Sequence, residues 1–278
     1  MTRLAVLGSP IAHSLSPTIH RAAYKFLNLD WTYEAIEVKE GGLREFLNSS
    51  DEPWQGLSLT MPLKAEAITV CGAADPLASQ VGGANTITWQ GAKTTAHNTD
   101  VFGFSNTLKR SNLKDLEAVT IIGGGATARA AVAAASEFTK KITVYLRNPK
   151  RAAGLRNALG DSGSELFLSP WSQIGQGLSA PLVISTTPKA ATDSLVDQVP
   201  ISPGLLFEAL YDPWPTVLVA AWQGKGGQVL GGLDLLVEQA IGQLKLFAPD
   251  LEFSDVAKLR EVMLTAGRVE LLARNSTV

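Results

Sequence analysis

The sequence predicts an α/β protein of two domains, an N-terminal α/β domain and a doubly wound parallel-sheet domain, with C-terminal helices packing back on the first. Three observations predict it. Short apolar strands alternate with helical patterns over most of the chain, the signature of parallel sheets covered by helices on both faces. The series restarts after about residue 110, just before a glycine-rich strand-to-helix turn. A length of 278 residues exceeds the usual single domain, so two domains of roughly 100 to 150 residues each are expected.

In chain order, RLAVLG reads as a strand, SPTIHRAAYKFLNL as a helix, WTYEAIEV as a strand, GLREFLN as a helix, GLSLT as a strand and PLKAEAITV as a helix. ANTITW and KTTAHN read as an antiparallel pair, and a helix from about Asp100 to Arg110 leads into the second series. There AVTIIG is a strand, ATARAAVAAASEF a helix, KITVYL a strand, PKRAAGLRNAL a helix, and PLVIST and LLFEALY are strands. From Gly232 to the end the pattern is two helices. The expected boundaries are residues 1–104 with 235–278 for one domain and 105–234 for the other.

Composition narrows the partner. Lys and Arg number 24 against 26 Asp and Glu, a net charge of -2, and the charges are spread along the chain. Such balance excludes the basic footprint of a nucleic-acid or anionic-membrane binder and points to a small molecule. The single cysteine, Cys71, excludes an intrachain disulfide and suits a reducing compartment. No signal peptide or membrane span is legible, so a cytoplasmic protein is expected. His13, His20 and His97 lack metal-ligand spacing, and no metal site is expected.

The most specific local motif is TIIGGGATARA, in which Gly123, Gly125 and Ala128 fit G-x-G-x-x-A directly after a strand and at the start of an Ala-rich helix. That is the context of a Rossmann-type dinucleotide site: glycines allow a tight turn and close approach to the pyrophosphate, and the helix start offers free N–H groups. An NAD site carries Asp or Glu about 20 residues later for the ribose 2′-hydroxyl. KITVYLRNPKR instead ends in Arg147, Lys150 and Arg151 with no carboxylate, which suits the 2′-phosphate of NADP. Positive charge is also unfavourable in a first helical turn, which makes purely solvated cations a poorer explanation.

The loop GSPIAHSLSP places Ser14 and Ser16 between Pro10 and Pro17 at the end of the first strand. Two hydroxyls in a Pro-stiffened loop can donate to both oxygens of a carboxylate; Ser16, which precedes Pro17, can equally serve as a helix N-cap. Ser14 has no such local use. In TMPLK, Pro62 is a good N1 residue, which places Lys64 in a first helical turn where the dipole disfavours its charged form.

With GSPIAHSLSP, SLTMPLK, GGANT, AHNTD, GGGATARA, LRNPKR, EALYDPWPT and GGLDLLVEQA in this order, the chain resembles the shikimate dehydrogenases from Arg3 to about Arg274. The resemblance implies reversible NADPH-dependent reduction of 3-dehydroshikimate to shikimate, in the chorismate route to aromatic amino acids, by a monomer or homodimer. It implies that Lys64 and Asp100 are the catalytic pair and that Ser14 and Ser16 hold the substrate carboxylate. Thr60, Asn85, Thr99 and Gln239 match residues that bind the ring hydroxyls or carboxylate, and Tyr211 one near substrate and nicotinamide. The cofactor positions are Gly123, Gly124, Gly125, Ala126, Thr127, Arg147, Asn148, Lys150, Arg151, Thr186 and Gly232.

Some positions depart from the family pattern. Ser58 stands for asparagine, Ala126 for glycine, Ala128 for serine, Leu146 for asparagine, and Asp234 and Leu235 for a small residue and a methionine. Three other readings compete. A quinate enzyme with NAD needs room for another hydroxyl and usually an acidic ribose contact; a methylene-tetrahydrofolate dehydrogenase leaves the two serines unexplained; a non-catalytic NADP-binding module leaves Lys64 and Asp100 unexplained.

Overall fold

The first strand, β1 (Thr2–Gly8), is apolar over Leu4–Leu7 and buried there, as a strand flanked on both edges and covered on both faces must be. These are features of a computed structural model that describes residues 2–49 and 53–275. After β1 come α1 (Ser16–Phe26), β2 (Trp31–Glu37), α2 (Leu43–Ser49), β3 (Gly56–Leu59), α3 (Glu66–Val70), β4 (Ala73–Ala74), α4 (Pro76–Val81), β5 (Thr86–Gln90) and β6 (Lys93–His97). The strands form one sheet in the order β2-β1-β3-β5-β6-β4. β1 runs parallel to β2 and β3, whereas β3–β5 and β5–β6 are antiparallel. The antiparallel pair expected from ANTITW and KTTAHN is β5–β6, and because β5 enters beside β3 in the opposite sense the sheet as a whole is mixed. β4 and α4 have no counterpart in the sequence reading; two and six residues are too short for a periodic signal.

α5 (Asp100–Arg110) leads to β7 (Val119–Ile122), α6 (Ala126–Ala135), β8 (Lys141–Leu146), α7 (Ala152–Leu159), β9 (Glu165–Pro170), β10 (Leu182–Ser185), β11 (Leu205–Glu208), α8 (Val217–Gly224) and β12 (Gln228–Leu230). This second sheet is parallel throughout, in the order β12-β11-β10-β7-β8-β9. The order reverses between β7 and β10, the switch point at which doubly wound sheets bind ligands. β9, α8 and β12 also lack a counterpart in the sequence reading: β9, for one, is only half-buried and has no clean alternation. Against this sheet Trp222 is fully buried in an apolar cluster with Leu206, Leu218 and Val219.

The chain ends in α9 (Gly232–Phe247) and α10 (Val256–Asn275). Two compact units result, one of the residues up to Thr99 and from Leu236 onward, the other Asp100–Leu235. Within the first, α10 packs on α1, and the side-chain amide of Gln55 donates to the Phe247 carbonyl at 2.7 Å.

Candidate active site

In the first unit the strand order reverses between β1 and β3, and the loops leaving both strands meet at that edge. The Ser9 N–H donates to the Met61 carbonyl (3.0 Å) and the Thr60 N–H to the Leu7 carbonyl (2.9 Å). Gly8 is required here: a Cβ would lie 2.3 Å from Thr60 Cγ2 and 2.8 Å from the Met61 oxygen. Because β5 runs antiparallel to β3, with Ser58 opposite Thr86, Asn85 is delivered to the same edge, where its carbonyl accepts from the Leu59 N–H at 2.7 Å. β6 turns back beside β5 with His97 opposite Thr86, so Thr99 arrives there too.

Asn85, Thr99 and Gln239 are joined directly. Asn85 Nδ2 donates to Thr99 Oγ1 (2.9 Å) and to Gln239 Oε1 (3.0 Å), and the Thr99 N–H donates to Asn85 Oδ1 (2.8 Å). All three side chains are buried. Four residues after Gln239 on α9, Gln243 donates to the Asn85 carbonyl (3.0 Å) and to Thr86 Oγ1 (3.2 Å), while its own oxygen lies 3.1 Å from His20 Nε2. His20 is fully buried and stacked on Tyr33, with ring centroids 4.2 Å apart. Burial pushes its imidazole far below the usual histidine range, against the opposing effect of its hydrogen bond to the Gln243 oxygen, so it serves as a neutral strut. Tyr33 in turn donates to Ser58 Oγ at 2.6 Å, which gives the unusual serine at that position a buried structural partner. None of these supports is legible in the sequence: a lone Gln or His on an apolar helix face carries no motif.

Two expectations about the loops are corrected. Ser16 is the first residue of α1 and not its N-cap, which is Leu15 and makes no side-chain capping bond. Ser14, expected to have no local use, has one: its Oγ accepts the Ser16 N–H at 3.2 Å. The reason is that the Ser16 N–H, at the first position of the helix, has no intrahelical acceptor. Likewise Pro62 is not at N1 and Lys64 is not in a helical turn. Residues 61–65 form a turn and α3 begins at Glu66. The Leu63 N–H donates to the Thr60 carbonyl (2.9 Å), and the Lys64 carbonyl accepts from the Ala84 N–H (2.7 Å), which ties the turn to the strand edge and delays the helix. Lys64, half-buried, is held at the sheet edge by its backbone, and a five-residue helix contributes little dipole. Asp100 follows Thr99 as the buried first residue of α5.

In the second unit β7 ends in the glycine turn. Gly123 has φ +124°, and a Cβ on it would lie 2.4 Å from Thr186 Oγ1. Thr186 leaves β10 across the switch point, its N–H and hydroxyl both donating to the Ile122 carbonyl at 2.9 and 3.0 Å. Gly124 and Gly125 lie under Arg151, whose side chain would be 3.3 to 3.4 Å from a Cβ at either position. α6 starts at Ala126 with Gly125 at its N-cap and no side-chain cap, leaving its first N–H groups, including that of Thr127, to an anion. Arg129, a position inside the motif for which the sequence predicts no role, has its proton affinity lowered by burial and, to a lesser degree, by the nearby Arg151 charge. Arg147 is exposed, with its guanidinium over the Trp171 ring. Asn148 accepts the Lys150 N–H at 3.0 Å and so caps the short 3-10 turn Pro149–Arg151. Gly232 touches the Ala209 and Leu210 backbone, where a Cβ would fall within 2.3 Å. Asp234 turns its carboxylate to the Gly231 N–H (3.2 Å) at the start of α9. Tyr211 is half-buried in the loop after β11. Among the described residues no group of three or more His, Cys, Asp or Glu is placed to hold a metal ion.

At the carboxyl end of β11, Glu208 is fully buried. Burial pushes its carboxyl up from 4.5 to about 7, opposed by hydrogen bonds from Leu210, Ser185, Ala209 and Thr216. The folded state therefore holds this proton more tightly than the unfolded chain. Glu208 contributes most to stability below about pH 4.5 and loses that contribution as pH rises through about 7. Glu208→Gln, which keeps the shape without the charge, gains stability over wild type as pH rises from 5 to 8, by roughly 2 to 3 kcal/mol. Urea unfolding of both proteins across that range checks it; a pH-independent difference would refute it.

The chain is similar to known shikimate dehydrogenases. A family model described as the shikimate dehydrogenase substrate binding domain matches residues 6–87. The NADP(+)-dependent shikimate dehydrogenase of Ignicoccus hospitalis is 30% identical over 250 residues, 87% of this chain and 92% of that protein. The crystal structure of Mycobacterium tuberculosis shikimate dehydrogenase superposes with a TM-score of 0.86 at 33% identity, covering 97% of this chain and 100% of that one. The Thermus thermophilus enzyme in complex with NADP(H) and shikimate gives 0.83 at 28% identity, covering 97% and 99%.

Proposed function

The chain belongs to the shikimate dehydrogenase family, and we propose that it interconverts 3-dehydroshikimate and shikimate with NADPH and NADP. The observation that carries this reading is the buried trio Asn85, Thr99 and Gln239 at the sheet edge that also bears Ser14, Ser16, Thr60 and Lys64. A polyhydroxylated ring with a carboxylate needs such a dense set of oriented donors and acceptors, because each buried hydroxyl left unpaired costs roughly 1 to 3 kcal/mol. In this reading the first unit takes the substrate and the second takes NADP(H), with its pyrophosphate at the glycine turn and its 2′-phosphate near Arg147 and Arg151.

NADPH, when bound, supplies the hydride. The chain's own task is the proton and the pose. Lys64 as ammonium gives a proton to the substrate oxygen during reduction, and as amine takes it back during oxidation. Asp100 orients the ammonium and balances its charge. Ser14 suits the carboxylate well: its oxygen already accepts the Ser16 N–H, so its hydroxyl proton is left to donate outward. Tyr211 borders substrate and nicotinamide. Among the described residues no helix is long and apolar enough to cross a membrane; with its single cysteine, the protein fits work in the cytoplasm, as monomer or homodimer.

Reduced-nicotinamide absorbance, followed with NADP or NAD each against shikimate or quinate, tests the proposal. NADP with shikimate should be the fastest pair. Preference for quinate or NAD would replace this reading with the broader quinate enzyme, and no turnover with any pair would leave a binding module. Ser14→Ala should raise the shikimate KM about 10-fold, since a hydrogen bond to a charged group contributes roughly 1.5 to 3 kcal/mol, with the KM for NADP unchanged. An unaltered shikimate KM would move the carboxylate elsewhere.

A further inference from the structure

Arg147 does not stand alone at the end of β8. The parallel pairing of β8 with β9 ends at Leu146 opposite Pro170, so the next residue of each strand, Arg147 and Trp171, leaves the sheet side by side. Trp171 opens a 3-10 turn, Trp171–Gly177, and its half-buried indole packs against the apolar cluster that contains Tyr145, Ile174 and Leu178. That anchoring makes the ring a fixed surface. The guanidinium of Arg147 lies over it, Cζ 4.3 Å from the ring centroid, well inside the range of a cation–π contact.

An exposed arginine otherwise samples many rotamers, and ordering it costs part of any affinity it provides. A guanidinium over the indole can turn one face to the ring and leave its opposite face and its in-plane N–H groups to a ligand. Resting on the NADP reading above, we infer that Trp171 is a positioning residue for the adenosine end of the cofactor. It holds Arg147 in place so that the outer face takes the purine and the edge N–H groups take the 2′-phosphate. Arg151, over the glycine turn, needs no such support. Trp171 thus contributes to the preference for NADP over NAD without touching the 2′-phosphate itself.

Calorimetric titration with 2′,5′-ADP, and with 5′-AMP as the control lacking the 2′-phosphate, tests this on the full chain. Trp171→Met and Trp171→Leu, two replacements of different shape that keep apolar bulk without an aromatic face, should each weaken 2′,5′-ADP about 5-fold. The loss for 5′-AMP should be smaller. Trp171→Phe should restore wild-type affinity to within about 2-fold, because it returns the ring face. In an Arg147→Ala background, replacing Trp171 should change nothing, since the route through Arg147 is gone. The inference is overturned by unchanged affinity in the Met and Leu variants, or by a loss that persists in the Arg147→Ala background. A wild-type chain that fails to bind 2′,5′-ADP overturns the NADP reading itself, and this inference with it.

Discussion

Lys64→Ala should lower kcat by roughly 10²- to 10⁴-fold, the usual scale of general acid–base catalysis, with a much smaller change in the shikimate KM. Oxidation of a secondary alcohol sends a proton away as the hydride leaves, and reduction requires the reverse, so one group must both give and take a proton at that oxygen. In the proposed role, Lys64 would be held by backbone contacts rather than by a helix. Its carbonyl is held by Ala84 at 2.7 Å and its turn is closed by Leu63 on Thr60 at 2.9 Å, so the alanine variant should keep the turn and lose only the amine. The KM should hold because the serines and the Asn85, Thr99 and Gln239 trio are untouched. Asp100→Asn should slow kcat as well. If the two act as a unit, the double variant loses less than the product of the single losses. Steady-state kinetics of the three variants, with circular dichroism to verify folding, decides it: a folded Lys64→Ala enzyme within a few-fold of wild type would remove Lys64 from the chemistry.

The second large effect concerns the cofactor. Replacing Arg147 and Arg151 together by alanine should weaken NADP by about 10²-fold or more, taking each charge-assisted contact at roughly 1.5 to 3 kcal/mol, while NAD changes little. Arg151 lies close over Gly124 and Gly125 and Arg147 stands on Trp171, so the two approach the site from different supports; because they would share one phosphate, their single effects should not simply add. Arg129 is a third cation in this region, its proton affinity lowered by burial and by Arg151, and it should remain to sustain pyrophosphate binding in the double variant. Kd values for NADP and NAD by fluorescence or calorimetry provide the check; equal losses for the two cofactors would remove the 2′-phosphate assignment.

Most of the second unit can be read from local signals. A strand, a glycine turn and an Ala-rich helix are specified within about a dozen consecutive residues, because the left-handed Gly123 and the small residues of α6 meet their constraints locally. The replacement of an acidic residue by Arg147, Lys150 and Arg151 is likewise a short-range feature. Prolines mislead where local rules are extended too far. Pro17 does follow the serines into α1, but Ser16 is the first helical residue rather than the cap, and its otherwise unsatisfied amide takes Ser14 as the acceptor. Pro62 is followed by a turn, because a bond to Ala84 outweighs the weak tendency of this short segment to continue as helix.

The alternation of elements, the glycine turn with its cations and the serine loop are all legible without a structure, since each is a pattern within one contiguous segment, whereas the pairing of Lys64 with Asp100 comes only from the resemblance to the family. How distant residues come to share a site is not. Asn85 binds Thr99 across 14 positions and Gln239 across 154, and their meeting depends on β5 entering antiparallel beside β3 and on α9 returning to the first unit. The same holds for the buried His20, Tyr33 and Gln243 behind them and for Trp171 beneath Arg147. Sheet register and helix return set these neighbours, and neither has a local period or spacing: a hydrogen bond between distant residues exists only once the chain entropy of bringing them together has been offset by the packing of the whole unit.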